Sequence, residues 1–189
     1  MDVFTVVCKR YTEHLSESLA QCPTTETTEF NMSNIATFGA GCFWGVEALF
    51  AQRYGVTKTS VGYMGGSTSE PTYKEVCTGT TDHVEVVQIE YNPHLVSYEE
   101  LLLLFWANHD PTTPNRQGPD VGTQYRSVVF FHTQEQQLEA EDVLSRLQQS
   151  GHFFRPIVTA IEPAQAYWLA EDYHQQYLAK RGQSSCGIN

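Results

Sequence analysis

The sequence predicts an α/β fold, an α+β two-layer sandwich in which helices pack on one mixed or antiparallel sheet. Three observations predict it. Short apolar segments alternate along the chain with segments whose apolar residues recur at helical spacing. Residues typical of helix N-termini precede two of the helical segments. The first seven elements of the core follow the order βαββαβα, and the two successive strands in its middle are typical of a split βαβ, ferredoxin-like arrangement.

The strands and helices can be assigned in order along the chain. Apolar segments predict strands at residues 35–38, 57–63, 84–91, 126–131 and 157–161. Four helices are predicted: one directly after Cys42, one opened by the capping box of Ser97 and Glu100, one opened by Thr133 and Gln136 and ended by Gly151, and one over residues 164–180. Two long connections, residues 64–83 and 107–125, are left irregular. Loops of this length in a compact domain are usually functional.

Composition limits the class of protein and its partners. The 189 residues carry a net charge of −11, and no basic cluster is longer than a pair. We therefore expect neither nucleic acid nor a membrane as partner, and a cytoplasmic monomer is the default. Residues 1–32 show no clear periodicity and are expected to be a poorly structured extension, residues 33–181 the core domain, and residues 182–189 a flexible coil tail.

Cys42 is the most informative residue, because Gly41 and Gly45 enclose it together with Phe43 and Trp44. Its position between a predicted strand and a predicted helix places the thiol at a helix N-terminus. There the backbone N–H groups favour the thiolate over the thiol, whose ordinary pKa is about 8.5. A small buried cysteine in a tight strand-to-helix turn is the alternative that this turn alone leaves open.

Glu85 lies on the apolar face of a predicted strand. Side chains alternate along a strand, so Glu85 shares its face with Val87, Ile89 and Tyr91. Burial there raises the pKa of a carboxyl and would let it act as a general acid near neutral pH. A glutamate at the strand end that reaches solvent is the alternative.

Five cysteines, at positions 8, 22, 42, 77 and 186, lack the paired spacing of a zinc site, so no metal is expected. Cys77 is most simply structural. Cys8 and Cys22 are by default solvent-exposed spectators, and service of one of them as a recycling thiol is the alternative left open. Cys186 lies in a tail of small residues, where a mobile thiol could reach a distant sulfur.

Several segments together resemble the methionine sulfoxide reductase A family. They are GCFWG at 41–45, GYMGG at 62–66, TYKEVC at 72–77, HVE at 83–85, FWANHDP at 105–111, QGPDVGTQYRS at 117–127 and YHQQY at 173–177. The resemblance covers roughly residues 35–186 and would make residues 33–181 the catalytic domain. Asp82 stands where the family motif usually has glycine, which is expected to alter that loop without touching Glu85.

The resemblance implies a thiol-dependent reduction of methionine S-sulfoxide, protein-bound or free, for repair of oxidative damage. Cys42 would attack the sulfoxide sulfur and become a sulfenic acid, and Cys186 would then form a disulfide with it. Thioredoxin, or dithiothreitol in vitro, would reduce that disulfide, with no bound cofactor. Phe43 and Trp44 would hold the methyl group. Glu85, with Tyr73 and Tyr125, would hydrogen-bond and protonate the sulfoxide oxygen. Asp120 would help place the substrate.

Two alternatives use the same cysteine differently. In a cysteine hydrolase or acyltransferase a histidine such as His109 would serve as base, and Cys186 would be irrelevant. In a non-catalytic thiol redox sensor, oxidation of Cys42 would alter binding. The other histidines are expected to be structural or on the surface, since none forms a tight ligand cluster.

Overall fold

The computed structural model describes residues 34–183. Its strands are β1 Ile35–Ala40, β2 Val56–Met64, β3 Val84–Tyr91, β4 Arg116–Gln117, β5 Asp120–Val121, β6 Ser127–Phe131, β7 Ala160–Pro163 and β8 Trp168–Leu169. Its α-helices are α1 Phe43–Ala51, α2 Tyr73–Val76, α3 Tyr98–Ala107 and α4 Gln134–Gln149, and two 3₁₀ turns cover Thr123–Tyr125 and Ala179–Arg181.

The main sheet has the strand order β7-β6-β1-β3-β2-β8. β3 lies between β1 and β2 and pairs antiparallel with both, so the β1-α1-β2 unit is a split βαβ. β6 is antiparallel to β1, whereas β7 runs parallel to β6. The predicted α/β sandwich with a mixed sheet is thereby confirmed. β4 and β5 form a separate small hairpin.

The largest core lies between one face of this sheet and the helices. It joins Phe38 of β1 and Phe50 of α1 to Leu101, Phe105 and other buried residues of α3 and α4. The opposite sheet face buries a second cluster, of Met64, Val84, Val86, Val128 and Phe130, against residues 160–167. β3 is therefore buried on both faces at its N-terminal end, next to the end of β1 that leads into α1.

Both predicted helix caps are present. Ser97 and Glu100 form a reciprocal capping box at the start of α3. Thr133 accepts a hydrogen bond from the Gln136 amide at the start of α4, but the Gln136 side chain bonds the His132 amide and the Ile35 carbonyl. Gln136 thereby ties the helix to β1.

The helix predicted over residues 164–180 is wrong. The segment instead forms β8, which pairs with Gly62 and Tyr63 of β2, followed by turns. Gln175 donates to the carbonyls of Val61 and Ala170, and Gln176 has a positive φ of 52°. Because these long-range bonds satisfy the backbone, tertiary contacts override the helical periodicity. The strand predicted at 157–161 likewise begins later, at Ala160.

Within residues 34–183, no helix combines the length and the apolar character that a bilayer span requires.

Candidate functional site

Cys42 is the N-cap residue of α1, two residues after β1 ends. Gly41 makes the turn with a φ of 87°, and a Cβ atom there would lie 2.6 Å from the side chain of Gln117. Glycine is required at this position for both reasons. The predicted strand-to-helix turn is thus confirmed, and it leaves the Cys42 thiol partly exposed at the first turn of the helix.

Glu85 lies directly beneath this turn. The Phe43 amide at the first position of α1 donates to Glu85 Oε2 over 3.2 Å. Only 1% of Glu85 is exposed, which confirms the predicted burial. Burial raises the pKa of Glu85 to about 8, against the opposing effect of the Phe43 hydrogen bond and with a further upward contribution from the charge of Asp120. The carboxyl therefore carries a proton near neutral pH.

Tyr73, Tyr125 and Asp120 surround this carboxyl. Burial raises the pKa of Tyr125, and the charges of Glu85 and Asp120 raise it further. Burial is also the main reason why the pKa of Tyr73 is raised, followed by a hydrogen bond with Cys77 and the charge of Glu85. Both phenols thus remain neutral O–H donors near the buried carboxyl.

Phe43 and Trp44 belong to one aromatic cluster next to this carboxyl. Phe43 is buried against Val61 and Tyr63, with its ring centre 6.4 Å from that of Trp44. The Trp44 ring stacks on Tyr177 at 3.8 Å and is only partly buried. Trp44 is therefore the partly accessible member of this aromatic pair, whereas Phe43 is the buried one.

His174 is the centre of this cluster, and sequence reasoning missed it. It is 1% exposed, and its Nδ1 accepts a 3.0 Å hydrogen bond from Trp44 Nε1. Its ring also packs on Phe43 and Tyr73, at 5.1 and 4.4 Å. Because Nδ1 accepts, the neutral ring carries its proton on Nε2, and burial lowers the pKa of His174. The YHQQY segment was the available signal, but it carried no indication of this contact.

Glu171 connects His174 to the tyrosines. Its carboxylate accepts hydrogen bonds from the Tyr63 hydroxyl at 3.0 Å and from the Tyr73 amide at 2.9 Å. Its Oε2 lies 3.9 Å from His174 Nε2. Glu171 and His174 together hold Trp44 and Tyr73 in fixed positions around the cluster.

His109 is not placed to act as a base. Its Nδ1 bonds the Phe105 carbonyl and its Nε2 bonds Ser127 Oγ, each over 2.7 Å. Burial lowers its pKa to about 4. With both ring nitrogens engaged inside the fold, His109 has a structural role.

The remaining predicted residues have different outcomes. Cys77 follows α2 and is exposed as a residue, but its sulfur is partly desolvated; this desolvation, with the charges of Glu85 and Glu171, raises its pKa against the opposing effect of a hydrogen bond with Tyr73. Asp82 has a φ of 58°, so the loop keeps the left-handed backbone that glycine favours. The predicted roles of Cys186, Cys8 and Cys22 lie outside the described residues.

A groove of about 530 Å³ also opens at Cys42. Gly45, Val46 and Leu49 of α1 form one wall, and residues of α3 form the other. Gln117, Gly118 and Asp120 of the β4–β5 hairpin line the end next to the thiol. Cys42 and Asp120 thus belong to both the groove and the set of predicted site residues.

Comparisons with known proteins point to the family that the sequence motifs resemble. A family model described as peptide methionine sulfoxide reductase matches residues 34–189. The peptide methionine sulfoxide reductase MsrA of Methanoculleus marisnigri is 64% identical over 151 residues, which cover 80% of this chain and 92% of the relative.

Solved structures show the same similarity. The methionine sulfoxide reductase A of Corynebacterium diphtheriae is 39% identical with a TM-score of 0.76, over 82% of this chain and 78% of that one. A crystal structure of Mxr1 from Saccharomyces cerevisiae in complex with Trx2 matches with 25% identity and a TM-score of 0.55, over 80% of this chain and 91% of that one.

Proposed function

The chain belongs to the peptide methionine sulfoxide reductase family, and on that premise we propose that Cys42 is the nucleophile of a thiol-dependent reduction of methionine S-sulfoxide. One observation carries the assignment of the site: a buried, protonated carboxyl bonded to the first amide of the helix that Cys42 caps. A thiolate nucleophile and a proton donor thereby meet at one helix N-terminus.

The first step transfers oxygen from the sulfoxide sulfur to the Cys42 sulfur. The S–O bond of the substrate breaks, methionine leaves, and Cys42 becomes a sulfenic acid. The sulfoxide gains two electrons and Cys42 loses two. Because oxide is a poor leaving group, the oxygen must be protonated as this bond breaks. Glu85 supplies that proton and becomes a carboxylate, and the protonated oxygen becomes the hydroxyl of the Cys42 sulfenic acid.

Tyr73 and Tyr125 assist Glu85 through their O–H groups. Donors aimed at an oxygen that gains negative charge stabilise the transition state, and they are most effective where apolar walls exclude water. Phe43 and Trp44 form such a wall and would hold the methyl group of the substrate. Asp120, at the mouth of the groove, would help place the rest of the substrate.

The second step regenerates the thiol. Cys186 attacks the Cys42 sulfenic acid, which forms a disulfide and releases water. Thioredoxin then reduces this disulfide by thiol–disulfide exchange, as dithiothreitol would in vitro. The complex of the related Mxr1 with Trx2 supports thioredoxin as the reductant.

We further propose that residues 33–181 form the catalytic domain, between an extension at 1–32 and a tail at 182–189 that carries Cys186. Oxidised proteins and free methionine sulfoxide are the proposed substrates, and a monomer in the cytoplasm is the proposed form. A reducing compartment would supply the dithiol reductant.

Single-turnover and steady-state assays with methionine S-sulfoxide test the scheme. We expect no methionine from Cys42→Ser. Cys186→Ser should release one methionine per enzyme molecule and then stop turning over, even when thioredoxin is present, because the sulfenic acid has no resolving thiol. Mass spectrometry of the wild type should find the Cys42–Cys186 disulfide in an oxidised sample and not in the matched reduced sample. Methionine formation by Cys42→Ser at the wild-type rate would contradict the proposed mechanism.

A further inference from the structure

The groove next to Cys42 extends well beyond the aromatic cluster. Apart from Cys42 and Asp120, none of the residues proposed to hold the sulfoxide lines it. Its volume of about 530 Å³ lies within the range of about 300–1,000 Å³ typical of clefts that bury drug-sized ligands. It is therefore larger than the sulfoxide group itself requires.

The two helices give the groove an elongated shape. Gly45, Leu49 and Arg53 recur every four residues on one face of α1 and its C-terminal continuation. Leu104 of α3 and Asn108, which caps the C-terminus of that helix, are likewise four residues apart. The lining on this side extends from Gly45 to Arg53, and at a rise of about 1.5 Å per residue this distance is about 12 Å. That is the length of about four residues of extended chain.

The floor of the groove is apolar, and its far end lacks an uncompensated charge. Phe50 and Phe105, both buried, lie beneath the two walls. At the far end Arg53 forms an ion pair with Glu100 at 2.9 Å, which compensates its charge. At the near end the carboxyl of Asp120 disfavours an acidic neighbour. These features favour the binding of an uncharged, apolar segment of polypeptide in the groove.

From these observations we propose that the groove binds the polypeptide on one side of the methionine sulfoxide and prefers apolar side chains there. The inference rests on the proposed function, because it assumes that the oxidised methionine reacts at Cys42. Continuity supports it: a chain whose sulfoxide side chain reaches the thiol passes the mouth of the groove, where Gly45 has no side chain to block it.

The test compares three substrates: free methionine S-sulfoxide, a peptide with serine on both sides of the methionine S-sulfoxide, and a peptide with leucine in place of those serines. Leu49→Gln and Leu104→Gln remove apolar surface from opposite walls. Leu138→Gln is the matched control, because Leu138 lies on α4 with 59% of its surface exposed and does not line the groove.

For the wild type and the control we expect kcat/KM to be about tenfold higher for the leucine peptide than for the serine peptide, which corresponds to about 1.4 kcal/mol of binding. Each groove variant should lose this preference and keep kcat/KM for free methionine sulfoxide within about twofold. The free substrate also reports whether a variant is folded.

Other outcomes overturn the inference. If the wild type shows no preference for the leucine peptide, or if the groove variants keep that preference, the groove does not bind the substrate chain. If the groove variants lose only thioredoxin-driven cycling, the groove serves the tail that carries Cys186 instead of the substrate. An equal loss with all three substrates would mean that the variants disturb the reactive site. If the wild type reduces none of the substrates, the proposed function fails, which is distinguishable from failure of this inference.

Discussion

Replacement of Glu85 by glutamine removes the proposed proton donor and keeps its size. The pKa of Glu85 is about 8, against an ordinary value of 4.5. At pH 7 about nine in ten Glu85 carboxyls are therefore protonated, whereas an ordinary glutamate would be protonated about once in 300. Burial thus increases the population of the acid form about 300-fold. Glutamine can still donate a hydrogen bond to the sulfoxide oxygen, but it cannot transfer a proton.

The assay is the single-turnover rate of methionine formation between pH 5.5 and 9.5. For the wild type we expect the contribution of the acid to be constant below about pH 8 and to fall tenfold per pH unit above it. Glu85→Gln should be slower by about 10²- to 10⁴-fold at pH 7, the usual contribution of general acid catalysis. It should also lose the decline above pH 8, with sulfoxide binding little changed.

Glu90→Gln is the matched control, because Glu90 lies on the same strand but faces outward and pairs with Lys58 at 3.0 Å. The single-turnover rate of Glu90→Gln should depend on pH as that of the wild type does. The assignment is refuted if Glu85→Gln keeps the wild-type rate, or if its rate declines above the same pH as that of the wild type.

Glu85 also links stability to pH. Between pH 4.5 and 8 the folded protein holds a proton on Glu85 that the unfolded chain has released, so the free energy of unfolding decreases as pH rises through this window. The difference between a pKa of about 8 and the ordinary value of 4.5 corresponds to at most about 5 kcal/mol of folding free energy. Urea denaturation should therefore show Glu85→Gln gaining stability over the wild type between pH 5 and pH 9. If the difference in free energy of unfolding between Glu85→Gln and the wild type is the same at pH 5 and pH 9, the pKa of Glu85 is not raised.

Three further changes test the surroundings of Glu85. Asp120→Asn removes a charge that raises the Glu85 pKa, so the decline in single-turnover rate should move to lower pH, by less than about one unit; a shift to higher pH would contradict this. His174→Phe keeps the ring packing but removes the acceptor of the Trp44 N–H, so KM should rise about five- to tenfold with a smaller change in kcat. His174→Gln should restore part of that loss, and tryptophan fluorescence should report the change in both variants. Cys77→Ser should keep the rate of thioredoxin-driven cycling within about twofold, since its thiol has a raised pKa and is a poor nucleophile; a larger loss would give Cys77 a role.

Much of the fold could be predicted because local signals agreed with the tertiary structure. The alternation of Glu85 with Val87 and Ile89 indicated the buried face of β3, and Ser97 with Glu100 marked the start of α3. Residues 164–180 could not be predicted in the same way. Their apolar periodicity is real, but the side chain of Gln175 bonds β2 more than a hundred positions away, and no local pattern encodes that bond.

The site was predictable where single residues carry the chemistry. Cys42 between glycines and Glu85 on an apolar face are both unusual in a sequence, and the structure places them at one helix N-terminus. His174 was not predictable, because its importance lies in a contact with Trp44, 130 positions away. The groove was missed for the same reason, since it exists only where α1 and α3 lie side by side.

The hydrogen bond from the Phe43 amide gives Glu85 a further property. The bond stabilises the carboxylate more than the neutral acid, yet burial outweighs it and the carboxyl stays protonated at rest. In the proposed reaction Glu85 becomes a carboxylate as the sulfoxide oxygen leaves, and the bond then strengthens. An interaction that is weak in the ground state and strong as charge develops lowers the barrier without holding the substrate more tightly. The same amide keeps the pKa of Glu85 near 8. A higher pKa would make Glu85 a weaker acid that gives up its proton less readily near neutral pH.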